Sequence, residues 1–211
     1  MKILRYVLII LLGTVLSVVM GASDLPFWLI YLSVVVLFFV LLVGPQMYIV
    51  YKSNKLARIE RYLQENKKKP LFAYALAIKT GHREAIAQAI NGVLKKYKQP
   101  YMQQVYKANL ALYEKDVSSF VRLAEQVSKE PLRTYYIAYA KALQGKYEEA
   151  QTLKANLLPG WMPYAIDAII AKEQGDLETF QIAASASVES ARGIQKFSLF
   201  YSFHYAERDF S

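Results

Sequence analysis

Two long, uncharged, apolar runs in the first fifty residues constrain this chain more than any other feature. No charged residue lies between Arg5 and Asp24, a run of eighteen positions, and none lies between Asp24 and Lys52, a run of twenty-seven. A helix rises about 1.5 Å per residue and the hydrocarbon core of a bilayer is about 30 Å thick, so roughly twenty residues cross it. The runs therefore predict two transmembrane helices, at about residues 6–22 and 27–51.

The connection between the two runs is short and contains Gly, Ala, Ser and Pro. A connection of this length forces the helices into a tight transmembrane hairpin over residues 1–51. An alternative for the first run is a cleaved signal peptide, since it has a basic start, an apolar stretch and small residues at 21–23. In that case the second span alone anchors the chain.

Positive charge flanks both outer ends of the predicted hairpin. Lys2 and Arg5 precede the first span, and the connection contains neither Lys nor Arg. By the positive-inside rule, both termini are expected on the cytoplasmic side. The compact anchor and its lysine-rich flank suggest a multi-pass protein of a bacterial inner membrane. The membrane-proximal basic residues after the second span are Lys52, Lys55, Arg58, Arg61, Lys67, Lys68 and Lys69.

The segment 52–69 combines these basic residues with an apolar pattern. Leu56, Ile59 and Leu63 recur at helical spacing, which predicts a basic amphipathic linker helix. Two interpretations of its charge stay open. The lysines and arginines either serve only as the topology signal, or also contact anionic lipid headgroups, each contributing about 1 kcal/mol near the surface.

The distribution of the net charge of +9 favours membrane lipid over nucleic acid as a partner. Residues 1–69 carry nine Lys/Arg against three Asp/Glu, whereas residues 70–211 carry seventeen against fourteen. Most of the excess therefore lies beside the apolar spans. The chain has no Cys, which removes disulfides and thiolate metal ligands and fits a reducing compartment.

From Pro70 onward the sequence predicts helices throughout. Ala, Leu, Lys, Glu and Gln dominate, and no run alternates in the manner of a strand. Gly81, Gly145 and Gly175 each separate two apolar helical stretches, and Lys115 takes the equivalent place in the remaining unit. The steps of 34, 30 and 30 residues predict a stack of about four helical hairpins, within an all-α chain.

Short segments at these turns resemble a known family. Residues 145–150, Gly-Lys-Tyr-Glu-Glu-Ala, are similar to the turn and second-helix start of a tetratricopeptide repeat, and residues 175–180 and 81–86 are looser versions. The resemblance covers roughly residues 67–190 and implies that 70–211 form an α-solenoid that binds protein segments. A similar helical-hairpin solenoid of another kind fits the same pattern.

The C-terminal segment 193–210 is rich in Phe, Tyr, Leu and Ile. The last unit of a repeat stack needs an element that covers its exposed face. We therefore predict a C-terminal capping helix, with a docking helix for a partner as the alternative.

The first helix of each unit lines the concave face of such a solenoid. Three tyrosines within five residues, Tyr135, Tyr136 and Tyr139, are too many to point into one core, which favours a groove with Tyr and Met anchors. The predicted protein-binding groove comprises Met102, Val105, Tyr106, Asn109, Leu132, Tyr135, Tyr136, Tyr139, Met162, Ile166 and Ile169.

Residue patterns for catalysis are scarce. His82 falls at a turn and is expected to be exposed, and His204 lies among aromatic residues, where we expect it to be packed. Glu148 and Glu149 diverge by about 100° on a helix and do not share a substrate. We therefore predict no enzyme activity, no metal and no cofactor.

The function predicted from these features is that of a membrane-anchored adaptor or scaffold that binds a protein segment. The alternative is a structural component of a membrane complex, assembled through the transmembrane hairpin. Gly13, Ser17 and Gly21, spaced four apart, form a small-residue face that permits close helix packing. The sequence names neither the partner protein nor the oligomeric state.

Overall fold

The structure is a computed structural model that describes residues 2–22 and 26–210. Every regular element in these two ranges is a helix, which confirms the prediction of an all-α chain. The α-helices are α1 (Lys2–Gly21), α2 (Phe27–Tyr51), α3 (Leu56–Glu65), α4 (Pro70–Thr80), α5 (Arg83–Lys96), α6 (Pro100–Tyr113), α7 (Val117–Gln126), α8 (Leu132–Leu143), α9 (Tyr147–Ala155), α10 (Trp161–Glu173), α11 (Leu177–Ser190) and α12 (Gly193–Glu207), and a 3-10 turn follows at Arg208–Phe210.

The chain divides into two compact units, Met1–Lys52 and Ser53–Ser211. Helix α3, which the sequence placed in a linker, belongs to the second unit and packs against α4 and α12. Its residues Ile59 and Leu63 are fully buried. The second unit therefore begins at Ser53 and includes the whole basic segment except Lys52.

In the first unit, α1 and α2 pack against each other. A Cβ at Gly13 would lie 3.1 Å from Cε2 of Phe38, so the missing side chain lets the phenyl ring approach the α1 backbone. Ser17 Oγ donates a hydrogen bond of 2.9 Å to the carbonyl of Gly13. One of the three small residues of the predicted packing face is thus already in contact within the chain.

Helix α2 is continuous through Pro45 and is long and apolar enough to cross a membrane. In α1, the apolar stretch that the structure describes, Ile10–Val19, is shorter. Among the described residues, one helix therefore meets the length and composition of a span. The second span and the hairpin stay predictions.

In the second unit, consecutive helices pack in pairs: α4 with α5, α6 with α7, α8 with α9, and α10 with α11. Connections of two or three residues join the members of each pair. Connections this short fold each pair into a helical hairpin.

The four turn positions aligned in the sequence share one backbone conformation. The φ angles are 69° at Gly81, 59° at Lys115, 73° at Gly145 and 74° at Gly175. Lys115 is the residue other than glycine with a positive φ in the described ranges. The equivalence of Lys115 with the three glycines is therefore confirmed.

Three of these turns close with the same backbone hydrogen bond, in which the residue after the left-handed position donates to a carbonyl five residues earlier. This bond ends a helix by satisfying a carbonyl that has lost its helical partner. The bonds are Asp116 N to Ala111 O, Lys146 N to Lys141 O and Asp176 N to Ala171 O, each 2.9 Å.

The shared register extends to the core. The residue five positions after each turn is buried in all four hairpins, and these residues are Ile86, Phe120, Ala150 and Phe180. The same place on each second helix therefore faces the interior of the domain.

Replacing Lys115 with glycine should stabilise the protein. A left-handed conformation costs a residue with a Cβ about 1–2 kcal/mol, part of which the greater entropy of an unfolded glycine offsets. We expect Lys115→Gly to raise the free energy of unfolding by about 0.5–1 kcal/mol. The matched variant Gly145→Ala should lower it by about 1 kcal/mol. Denaturant unfolding of the full chain in detergent measures both. Equal destabilisation by the two variants would contradict the left-handed turn at Lys115.

Candidate functional site

The predicted groove residues lie on α6, α8 and α10, but the structure does not leave them all accessible. Four of them are buried: Tyr135, Tyr136, Ile166 and Ile169. The others are half-buried: Met102, Val105, Tyr106, Asn109, Leu132, Tyr139 and Met162. The buried members form part of the domain core and are not presented to a partner.

The three tyrosines of α8 pack against the same buried cluster. The ring of Tyr135 makes edge contacts with Tyr136, Tyr139 and Trp161, at centroid distances of 5.5, 6.2 and 5.1 Å. The argument that these tyrosines are too many for one core is therefore wrong. The three positions span about 100° of the helix, and the rings of Phe120 on α7 and Trp161 on α10 contact them.

A hydrogen bond joins this cluster to the preceding hairpin. The hydroxyl of Tyr136 donates to Oδ1 of Asn109 at 2.7 Å. Asn109, predicted to contact a partner peptide, thus satisfies a buried hydroxyl of its own chain. Leaving that hydroxyl without a partner would cost about 1–3 kcal/mol.

A second group of tyrosines lies on α4 and α6. The ring of Tyr74 contacts those of Tyr106 and Tyr113, at centroid distances of 5.3 and 6.5 Å. Burial raises the pKa of the Tyr113 hydroxyl, and hydrogen bonding to Ser202 of α12 and to Tyr74 partly offsets that rise. The first helices of the hairpins therefore meet through their own aromatic side chains.

We call the tyrosines of the two groups the tyrosine core: Tyr74, Tyr106, Tyr113, Tyr135, Tyr136 and Tyr139. Burial raises the pKa of all six hydroxyls above the ordinary value of a tyrosine. Neutral tyrosines pack and donate hydrogen bonds, and they do not act as bases near neutral pH. The chemistry of the tyrosine core is therefore that of packing.

Helix α12 returns to the beginning of the domain. It packs against α11, as a capping helix would, and also against α3 and α4. The hydroxyl of Tyr205 donates to the carbonyl of Lys79 at 2.7 Å, across 126 residues of sequence. The amide of Gly193 donates to the carbonyl of Ser53 at 2.8 Å.

The turn at Gly81 makes room for this contact. A Cβ there would lie 2.5 Å from Cε1 of Tyr205, and φ is 69°. Farther along α12, Phe197 is fully buried and Phe203 packs against two core clusters. Beyond the helix, Asp209 pairs with Lys172 of α10 at 2.6 Å. Helix α12 thus joins the first hairpin to the last.

Sequence reasoning missed this return. A cap for one hairpin needs a single apolar face, whereas 193–210 carries apolar and aromatic residues on more than one face of its helix. The apolar residues on a second face of this helix were the sequence feature that indicated the return, because each apolar face needs a neighbouring element to cover it.

The two histidines are both exposed. His82 directly precedes α5, and its exposure confirms the prediction. The prediction that His204 is packed is wrong: its Nε2 lies 3.1 Å from Nη2 of Arg208 at the surface. Among the described residues, no group of three or more His, Asp or Glu is arranged to hold a metal ion.

An open cleft of about 360 Å³ lies between the start of α8 and the end of α9. The carboxylate of Glu130 in its wall accepts hydrogen bonds from N and Oγ1 of Thr134, at 3.2 and 2.9 Å. Its lining residues are Glu130, Pro131, Thr134, Asn156, Leu157 and Leu158. None of them belongs to the predicted groove.

The membrane-proximal basic residues Lys52, Lys55, Arg58, Arg61, Lys67, Lys68 and Lys69 are all exposed. The opposite face of α3, with Ile59 and Leu63, is buried in the domain. The segment therefore exposes its charged side chains to the surroundings, while Ile59 and Leu63 stay buried in the domain.

Comparison with known proteins finds no match to a family model, to a curated protein or to a solved structure.

The tyrosine core predicts a loss of stability at alkaline pH. Because burial raises the pKa of Tyr135 in the folded chain, its stabilising contribution is complete below the ordinary pKa of about 10 and falls as pH rises above that value. Tyr135→Phe keeps the ring and removes the ionisable group, so the midpoint of alkaline unfolding should move to higher pH. Circular dichroism during an alkaline titration of the full chain measures this midpoint.

Tyr164→Phe is the matched control, since Tyr164 is 44% exposed and its replacement should leave the midpoint unchanged. An identical midpoint for wild type and Tyr135→Phe would show that ionisation of the tyrosine core does not drive the transition.

Proposed function

We propose that this chain is a membrane-anchored adaptor, in which α2 crosses a bilayer and the helical domain Ser53–Ser211 binds a protein partner. The observation that carries the proposal is the apolar surface of α2. Phe27, Trp28 and Phe39 are 82%, 63% and 65% exposed. Such a surface is stable in lipid, whereas in water each of these side chains would stay hydrated at a cost.

The aromatic residues of α2 match the thickness of a bilayer. Trp28 and Tyr31 lie near its beginning, and Tyr48 and Tyr51 near its end. Trp28 and Tyr48 are twenty residues apart, which is about 30 Å along a helix and equals the thickness of the hydrocarbon core. Trp and Tyr concentrate at the two interfaces of a membrane, so this spacing supports a spanning helix.

The two-span hairpin is part of the proposal. The contact of Gly13 with Phe38 supports close packing of α1 on α2. By the positive-inside rule, the basic residues at both outer ends support a cytoplasmic location for the N-terminus and the helical domain.

The repeated turns support a tetratricopeptide-like solenoid as the architecture of the domain. Four hairpins with a common turn and a common buried register present equivalent surfaces side by side, which is how helical repeats bind proteins. Anchoring raises the effective concentration of such a domain for partners on the same membrane.

The accessible part of the first helices is the binding surface that we propose. Met102, Leu132 and Met162 stand at one equivalent place, thirteen residues before the turns of their hairpins, and all three are half-buried. Two exposed tyrosines, Tyr101 and Tyr164, flank this row. Met adapts to irregular shapes and Tyr combines apolar area with a hydroxyl. We call the five residues the first-helix edge.

In-cell photo-crosslinking tests the adaptor function. A photoreactive phenylalanine analogue replaces Tyr101 or Tyr164, and the matched control replaces Ile182, which is 65% exposed on α11. Both edge positions should trap the same protein and the control should not. Met102→Ala combined with Leu132→Ala should reduce the yield at least severalfold, because these side chains supply adaptable contact area.

Two outcomes argue against the proposal. Equal trapping from Ile182 and the edge positions would mean that crosslinking reflects proximity and not a binding surface. Loss of trapping when residues 1–51 are exchanged for an unrelated transmembrane hairpin would favour assembly through the native hairpin.

A further inference from the structure

The segment 52–69 concentrates exposed positive charge. It contains seven Lys and Arg, all exposed, and two acidic residues, Glu60 and Glu65. Glu60 is engaged in an ion pair with Lys79 of α4. The segment therefore carries a formal charge of +5 directly after α2 in the sequence.

The orientation of α3 determines how this charge is displayed. Ile59 and Leu63 are fully buried against the domain. On a helical wheel, Arg58 and Arg61 lie about 100° and 160° from Ile59, so both point away from the buried face. The docked helix thus holds its arginines at the surface.

This orientation excludes one mode of membrane contact. An interfacial amphipathic helix binds by inserting its apolar face among the acyl chains. The apolar face of α3 is already buried within the protein, so the segment has only charge to offer. Any lipid contact of this segment is therefore with headgroups.

We propose that the exposed basic surface of residues 52–69 binds the anionic headgroups of membrane phospholipids. The inference rests on the membrane anchor of the proposed function. Four residues separate α2 from α3, and four extended residues span at most about 14 Å. Interactions between charges persist over a Debye length of about 8 Å. Each basic residue near an anionic surface strengthens binding by up to about fivefold.

The charge pattern favours lipid over nucleic acid. Residues 70–211 contain seventeen basic and fourteen acidic residues, so their formal charge is only +3. Nucleic-acid-binding domains carry clustered charge across a whole face, whereas here the short segment that follows the anchor alone carries +5 of the net charge of +9.

Spin-labelled lipids test the proposal with the full chain. The protein is reconstituted in phosphatidylcholine vesicles, and electron paramagnetic resonance measures its association with spin-labelled phosphatidylglycerol relative to spin-labelled phosphatidylcholine. We expect wild type to prefer phosphatidylglycerol severalfold and to lose that preference in high salt. The variant with Lys67→Gln, Lys68→Gln and Lys69→Gln removes three of the seven basic residues and should show a clearly smaller preference than wild type.

The chain offers a matched control. Lys95, Lys96 and Lys98 are equally exposed near the end of α5. Replacing these three with Gln removes the same charge elsewhere and should leave the preference unchanged. Because all six lysines are at the surface, both variants should keep the circular dichroism spectrum of wild type.

Several results would overturn the proposal: no preference in wild type, an equal loss in both variants, or displacement of the bound lipid by inorganic phosphate but not by chloride at the same ionic strength. Binding of a DNA duplex that the 67–69 substitutions abolish would assign the surface to nucleic acid instead. Vesicle flotation after alkaline extraction separates failure of the membrane anchor from failure of headgroup binding. A chain that fails to float contradicts the anchor, whereas a chain that floats without lipid preference contradicts only this inference.

Discussion

The return of α12 to the first helices is the contact on which the rest of the helical domain depends. An open stack of hairpins exposes an apolar face at each end, and both faces need cover. Here a single helix covers α11 on one side and α3 and α4 on the other. The Tyr205 hydroxyl donates to the Lys79 carbonyl across 126 residues of sequence. The entropic cost of closing so long a loop grows only slowly with loop length. Buried Phe197 and the packing of Phe203 supply apolar contact that offsets this cost.

Closure changes what the first helices do. In an open solenoid their inward side chains face a groove, but in this domain the tyrosine core packs against itself and against α12. Phe203 of α12 packs against the cluster that contains Tyr135 and Tyr136, and the Tyr136 hydroxyl donates to Oδ1 of Asn109. Partner binding is therefore proposed at the first-helix edge, where Tyr101 and Tyr164 stay exposed. The same closure docks α3 by its apolar face and leaves its basic face outward.

Local features of the domain were predictable from sequence because local chemistry determines them. The turns follow from glycine spacing, and even Lys115 was placed in register, since the apolar pattern on both sides required a turn there. The groove was not predictable in the same way. Helical periodicity shows which side of α8 is apolar, but it does not show whether a neighbour covers that side. Tyr135 and Ile166 are buried because α8 and α10 pack together. The exposure of His204 likewise depends on which faces of α12 find neighbours.

Hydrogen–deuterium exchange of the full chain in lipid nanodiscs tests the closure most directly. Amide exchange in a core helix requires opening of the structure that buries it. If α12 completes the core, the amides of Phe197–Phe203 should exchange as slowly as those of α8 around Tyr136. Rapid exchange throughout α12, with α8 still protected, would contradict the closed domain and would restore an accessible groove on the first helices.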